Sequence, residues 1–140
     1  MIYYQDAHYL IEWDEVNRWV KATTHHFIPP AARHQGMLQM LEVIKQKSAT
    51  KMLSDNRESR VIGAEEQQWI REIWLPQVLA VGLRYMAIVL PQSVIAQMSF
   101  KAIAQKSTFQ PHSQSEPGPS LESHNFSEVA EAEKWLRLLK

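Results

Sequence analysis

Acidic and amide side chains gather in one polar stretch, residues 55–66, between a short apolar strand pattern and a helical one. Those that could do chemistry are Asp55, Asn56, Glu58, Glu65 and Glu66. Open α/β sheets bind ligands where a strand ends and a helix begins, and two carboxylates there could exchange protons with a substrate. No nucleophile or histidine lies near them in the sequence, so loop and helix-capping roles are favoured by about four to one.

The histidines offer a poor metal site. His25 and His26 are adjacent, and a strand directs adjacent side chains to opposite faces, while His34 would have to reach the same ion from a helix. Surface histidines are favoured over a metal site. The chain has no cysteine, no glycine-rich nucleotide motif and no serine-hydrolase or zinc-protease motif. We therefore predict neither a metal nor a cofactor.

Tryptophan and methionine are the apolar candidates for a binding site. Trp69 and Trp74 are five residues apart, so they lie at different angles around a helix, and one of them could reach a pocket or a partner surface. Plain core packing is about twice as probable for this pair. Four methionines could line an adaptable pocket for an acyl chain, although scattered core positions are favoured: Met37, Met40, Met86 and Met98.

Length and charge limit the number of domains and the classes of partner. The 140 residues predict one domain, 1–140, and 15 basic residues balance 15 acidic ones. This balance gives no case for nucleic acid or an anionic membrane surface. No apolar run approaches the roughly 20 residues of a membrane span, and the N-terminus does not resemble a signal peptide. We expect a cytoplasmic protein without membrane insertion.

The N-terminal third predicts an antiparallel meander followed by a helix. Residues 2–5, 8–13 and 18–27 are rich in β-forming side chains. Pro29 and Pro30 then end the third strand and open a helix that continues to about Gln46.

The middle of the chain predicts a parallel βαβ crossover. Strand 51–55 and strand 83–90 flank a helix over 64–81, because a helix of that length between two apolar runs joins parallel strands. Residues 56–63 are polar and predict an irregular loop. Pro76 predicts a kink or break near Trp74, and Gly82 predicts the end of the helix.

The C-terminal third predicts alternating elements around a loop. The patterns indicate a helix over 93–104, a polar loop over 105–120, an edge strand over 121–126 and a last helix capped by Ser127. The fold class is therefore α/β.

Several segments together resemble bacterial SpoIIAA-like proteins of the wider STAS and SEC14-like group. They are Lys-Met-Leu-Ser-Asp-Asn at 51–56, Glu-Glu-Gln-Gln-Trp-Ile at 65–70, Trp-Leu-Pro-Gln-Val-Leu-Ala-Val-Gly-Leu at 74–83, Met-Ala-Ile-Val-Leu-Pro at 86–91 and Glu-Ala-Glu-Lys-Trp-Leu at 131–136. The resemblance spans about residues 9–139 without the 105–120 loop. It implies a mixed sheet of about five strands with helices packed mainly on one face. It also implies a regulatory binding module, such as an anti-sigma factor antagonist or a transporter tail, or, in the SEC14-like branch, a lipid carrier.

One departure from the resemblance matters. Anti-sigma antagonists carry an Asp-Ser-Ser-Gly-type turn with a phosphorylated serine, where this chain has Asp-Asn-Arg-Glu-Ser at 55–59. Neither the glycine nor the serine matches cleanly, so the phosphorylation switch is not carried over. Ser54 and Ser59 are weak candidates for phosphorylation.

Three functional hypotheses follow. The first is a non-enzymatic binding module for an unknown protein partner, or for a second copy in a homodimer. Its expected recognition surface consists of Asp55, Asn56, Arg57, Glu65, Trp69 and Trp74. The second is a carrier of a lipid or other apolar molecule, which requires a cavity between the sheet, the 93–104 helix and the last helix. The third is an enzyme that uses Asp55 with Glu65 or Glu66.

Overall fold

A computed structural model describes residues 1–106 and 120–139 of the chain. The strands are β1 Ile2–Gln5, β2 Tyr9–Asp14, β3 Trp19–His26, β4 Lys51–Ser59, β5 Tyr85–Val89 and β6 Glu122–Phe126. The helices are α1 Pro30–Lys47, α2 Ala64–Trp69, α3 Leu75–Ala80, α4 Val94–Lys106 and α5 Val129–Leu138, with a π-helical segment, Ile70–Trp74, between α2 and α3. Most of the predicted 105–120 loop lies outside the described residues.

The six strands form one mixed sheet in the order β1-β2-β3-β4-β5-β6. β1, β2 and β3 pair antiparallel, and β3, β4, β5 and β6 pair parallel. The predicted meander, the βαβ crossover from β4 to β5 and the edge position of β6 are thus confirmed. The sheet has one strand more than the resemblance implies.

Two apolar layers cover the sheet. The larger layer lies between one face and α1, the π segment, α3 and α4, and it includes Met52 of β4. The smaller layer lies between the other face and α5, and it includes Leu53. Because strand side chains alternate, Ser54 and Asn56 share the face of Met52, whereas Asp55 shares the face of Leu53.

The structure corrects three local predictions. Residues 56–59 are not irregular: they extend β4, with His25 opposite Glu58 across a bulge. Gln105 and Lys106, which were predicted to lie in a loop, belong to α4. Ser127 does not cap the last helix, since the N-cap position is Glu128 and its side chain makes no capping hydrogen bond.

The predicted break near Trp74 takes the form of the π segment. Pro76 has no N–H to donate, so the regular helical ladder cannot run through it. The backbone N–H of Leu75 instead donates to the carbonyl of Ile70, five residues back. Gly82 ends α3 as predicted, with a φ of 114° that side-chain-bearing residues rarely adopt. None of the helices in the described ranges has the length and apolar character of a membrane span.

Lys51 fastens α5 to the sheet. Its Nζ donates to the carbonyl oxygens of Leu136 at 2.8 Å and Leu139 at 2.7 Å, at the C-terminus of the helix. The Leu136 carbonyl also accepts from the backbone N–H of Leu139, at 3.3 Å. We expect Lys51→Met to lower the free energy of unfolding by about 1 kcal/mol, because two charge-assisted hydrogen bonds at a helix C-terminus are lost. Urea denaturation would measure the change. The exposed Lys134→Met is the control, and an equal loss there would contradict this role.

Candidate ligand-binding cavity

A cavity of about 330 Å³ lies between the sheet and the helices of its larger apolar layer. This volume falls at the lower end of the range for small-molecule sites. The residues that line it are Tyr9, Thr24, Arg33, Met37, Met40, Met52, Ser54, Asn56, Ile62, Ile70, Trp74, Leu75, Met86, Ile88, Phe100, Ile103, Ser120, Leu121 and Ser123. Most of them are apolar. The cavity reaches the surface beside Ser120 and Ser123, whose side chains are exposed.

The wall changes from apolar to polar along the direction of the parallel strands. In β4, every second side chain faces the cavity, first Met52, then Ser54, then Asn56. Thr24, near the end of β3, lies at the same level as Asn56 and donates to its Oδ1 at 3.1 Å. The polar end therefore lies at the carboxyl ends of β3 and β4, where open α/β sheets usually bind ligands.

The polar groups contributed by β3 and β4 are held by one another. The amide of Asn56 donates to the carbonyl and the hydroxyl of Ser54 at 3.1 and 2.9 Å. The hydroxyl of Thr24 also bonds to that of Ser59. These groups form a fixed polar surface, since each has a partner and a defined orientation.

Tyr9 stands apart from this network. Only 1% of its surface is exposed, and its hydroxyl has no hydrogen-bond partner among the described residues. One face of its ring packs directly against Gly36 of α1, which fixes the position of the ring. Burial raises the pKa of Tyr9 to about 12, although the charge of nearby Arg33 acts in the opposite direction. An unpaired buried hydroxyl on a cavity wall is costly unless something in the cavity bonds to it.

The raised pKa of Tyr9 predicts a loss of stability in alkali. The folded pKa of about 12 lies above the ordinary value of 10.0, so the stabilisation is complete below pH 10 and is lost as the pH rises through 12. One pKa unit corresponds to about 1.4 kcal/mol, so we expect a loss on the order of 2 kcal/mol. Urea denaturation from pH 9 to 12 would measure it. Tyr9→Phe should remove most of this loss. If the free energy of unfolding of this variant falls with pH as steeply as that of the wild type, the loss does not come from Tyr9.

Arg33 reaches the cavity from α1, one turn before Gly36. Its side chain is 8% exposed, and its Nε lies 3.3 Å from Oε2 of Glu66. These charges attract, but the Nε–H is not aligned for a hydrogen bond. Glu66 also lies 3.3 Å from Nε2 of His34, whose ring stacks on Trp69 with centroids 4.0 Å apart.

The six residues of the expected recognition surface do not form one exposed patch. Asp55, Asn56 and Trp74 are each 3% exposed, whereas Arg57 and Glu65 are exposed and Trp69 is half-buried. Asn56 and Trp74 face the cavity, Asp55 is buried on the opposite face of the sheet, and the other three are wholly or partly exposed.

The three buried residues of this set have specific partners. Asp55 accepts two hydrogen bonds from the Arg57 guanidinium at 3.0 and 2.9 Å, which raise the pKa of Arg57. Trp74 donates from its indole to the carbonyl of Met37 at 2.7 Å. Asn56 and Trp74 line the cavity, so they belong to a candidate site, but to its interior.

The other candidates separate in a similar way. Met37, Met40 and Met86 line the cavity, while Met98 is 64% exposed. Across residues 1–106 and 120–139, no three histidine or acidic side chains are grouped as metal ligands. His25 lies 3.3 Å from Glu58.

Sequence reasoning missed Tyr9, Thr24 and Arg33 as polar residues of the cavity wall, and it named Ser54 only as a weak phosphorylation candidate. Arg33 had a detectable signal, because it lies four and seven residues before Met37 and Met40 and so interrupts the buried stripe of α1. Tyr9 and Thr24 had none, since both fit a half-buried strand pattern and the space beside them is invisible in the sequence.

The mixed sheet with its parallel crossover and two helical layers defines an α/β domain of SpoIIAA-like fold. A crystal structure of an uncharacterized protein from the DUF3478 family, from Shewanella loihica PV-4 and with a SpoIIAA-like fold, matches it with a TM-score of 0.59. The match covers 96% of this chain and 98% of the other at 14% identity, so it shows the fold alone. No family model and no curated protein match the chain.

Proposed function

We propose that this domain is a non-enzymatic binding module and that its ligand is a small, mainly apolar molecule held in the cavity. The observation that carries the proposal is the space itself. Protein interiors are packed as densely as organic crystals, so 330 Å³ of apolar-walled space is unusual for a domain of 140 residues. The SpoIIAA-like fold is consistent with a binding module.

The cavity differs in position from the one that the carrier hypothesis required. None of the residues that line it belongs to α5, which covers the opposite face of the sheet. The space lies instead between the sheet, α1, the π segment and α4. Its size supports a ligand of roughly ten non-hydrogen atoms, taking about 30 Å³ for each, the share of one water in the liquid.

The positions of the carboxylates argue against the enzyme hypothesis. Asp55 lies on the α5 face of the sheet and is bound by Arg57, whereas Glu66 lies on the other side against Arg33. Glu65 is exposed at the start of α2. Acid–base catalysis needs both groups within reach of one substrate, and these groups do not converge on one.

A partner-binding module is the second candidate, and one surface favours it. Val94 and Ile95 are each 70% exposed and Met98 is 64% exposed, and these neighbours on α4 form an apolar patch. A homodimer detected by sedimentation that dissociates in Ile95→Asp would support this candidate. A monomer with no α4-dependent crosslink in cells would remove it.

The first test of the cavity is native mass spectrometry of protein purified gently from its own host. We expect a stoichiometric adduct of small mass. Calorimetry with compounds of about ten non-hydrogen atoms would then compare Ile88→Trp, which fills the cavity, with Ile73→Trp, which lies outside it and is 45% exposed. Binding that is lost only in Ile88→Trp supports the proposal. Absence of any adduct and of any binding by the wild type would overturn it.

A further inference from the structure

The cavity wall carries two hydrogen-bond donors that the described chain leaves without an aligned acceptor. They are the hydroxyl of Tyr9 and the Nε–H of Arg33, and both atoms are buried from solvent. The two are close to each other, because Tyr9 packs on Gly36 and Arg33 lies three residues earlier on the same side of α1. A buried polar group without a partner is rare enough to require an explanation.

The remaining buried polar groups of the wall are already matched. Asn56 accepts from Thr24 and donates to Ser54, so its oxygen and nitrogen are both engaged. Among the residues that line the cavity, the unmet capacity is therefore on the donor side; Oε2 of Glu66, which also lacks an aligned partner, lies 3.3 Å from the Arg33 Nε but outside the lining. A guanidinium N–H can only donate, and a tyrosine hydroxyl can do so as well, so the missing group is an acceptor.

We propose that the cavity ligand is a monocarboxylic acid with an apolar body, whose carboxylate accepts hydrogen bonds from Tyr9 and Arg33. This inference rests on the proposed function, since it names the ligand class of the same cavity. A carboxylate has enough lone pairs for both donors, and hydrogen bonds between charged groups are the stronger kind.

The gradient of the wall fixes the orientation of this ligand. Its head lies at the carboxyl ends of β3 and β4, and its apolar body extends towards Met40, Met52 and Met86. Methionine side chains are flexible and adapt to apolar shapes, so this end tolerates different bodies.

Other head groups fit the donors less well. An alcohol or an ester can accept from Tyr9 but gains nothing from the full charge of Arg33. An amine brings a like charge to Arg33 and leaves both donors unmatched. The expected order of affinity is therefore carboxylate first, alcohol and ester next, and amine last.

Calorimetry at pH 8 with octanoate, methyl octanoate, 1-octanol and octylamine tests this order. We expect octanoate to bind at least about tenfold more tightly than the alcohol. Tyr9→Phe, which keeps the ring on Gly36, should weaken octanoate binding by about tenfold. Tyr4→Phe is the matched control, because its hydroxyl bonds to Asp6 at 2.7 Å and does not line the cavity.

The outcomes separate the two proposals. Equal affinities for octanoate and octanol, or an unchanged octanoate affinity in Tyr9→Phe, would overturn the carboxylate assignment while binding in the cavity stands. Binding of none of the four compounds by the wild type, together with no adduct in native mass spectra, would overturn the proposed function as well.

Discussion

Gly36→Ala should lower the free energy of unfolding by about 2 kcal/mol, although alanine is the better helix former. A Cβ at this position would lie 2.9 Å from Cγ of Tyr9 and closer still to two other ring atoms. Overpacking of this kind typically costs about 1–3 kcal/mol, or more where neighbours cannot move. Tyr9 is 1% exposed, so its ring can yield only by leaving its packed position on α1 and shifting towards the cavity. The helical preference for alanine, about 1 kcal/mol, acts in the opposite direction.

Urea denaturation of four variants would check this prediction. Gly63→Ala is the matched control, because a Cβ there meets nothing within 4 Å. The double variant Gly36→Ala with Tyr9→Ala should recover stability relative to Tyr9→Ala alone, since the clash is then gone. If Gly36→Ala is as stable as the wild type, α1 does not press on Tyr9, and the position assigned to its hydroxyl is wrong.

Gly36→Ala also links the fold to the site. Close approach of α1 to Tyr9 is what places Arg33 beside the same part of the wall. The variant should therefore weaken binding of any cavity ligand even where enough folded protein remains to measure it, and the matched Gly63→Ala should not.

The crossover could be predicted from the sequence because its signals are local. Apolar runs on either side of a helix with spacings of three and four residues leave few alternatives, and Gly82 and Pro76 mark its end and its break. The form of the break could not be predicted. Whether a proline helix kinks or widens into a π turn depends on the packing of Ile70 and Trp74, which are buried against other elements.

The extension of β4 shows where local signals fail. Asn56 and Ser59 are polar and follow an apolar strand, which favours a loop by propensity. They remain in the strand because β3 pairs with Glu58 and Ser59 beyond the bulge, and because the Thr24 hydroxyl bonds to the side chains of both Asn56 and Ser59. Tertiary partners thus override propensity here. The position of the cavity could not be predicted for a related reason, since empty space depends on all the surrounding side chains together.

Glu66→Gln should make the protein less stable by about 3 kcal/mol and, at the same time, a better receptor for carboxylates. The Glu66 side chain is 14% exposed and that of Arg33 is 8% exposed. Removing one charge of such a pair leaves the other buried without compensation, which typically costs about 3–5 kcal/mol. Glu66 and His34 are partly exposed, so water can compensate part of the cost, and we expect a loss of stability at the lower end of this range.

The tighter binding of carboxylates follows from the removal of the Glu66 charge. In the wild type, Glu66 neutralises Arg33, so a ligand carboxylate competes with it for the guanidinium. In Glu66→Gln, the ligand becomes the counter-charge, and it should stabilise the variant more than it stabilises the wild type. Urea denaturation with and without octanoate measures both effects. Glu65→Gln is the matched control, because Glu65 is exposed one residue earlier and should change stability by less than about 1 kcal/mol.

The two effects test different parts of the structure. A loss of stability without extra stabilisation by octanoate would confirm the buried pair and show that Arg33 does not meet the ligand. No loss of stability would contradict the pair itself. The expected combination is a less stable variant whose stability a carboxylate restores. This result requires that Arg33 is buried, that it pairs with Glu66, and that it is directed to the cavity. Octylamine serves as the final comparison, because a cation cannot replace the missing negative charge.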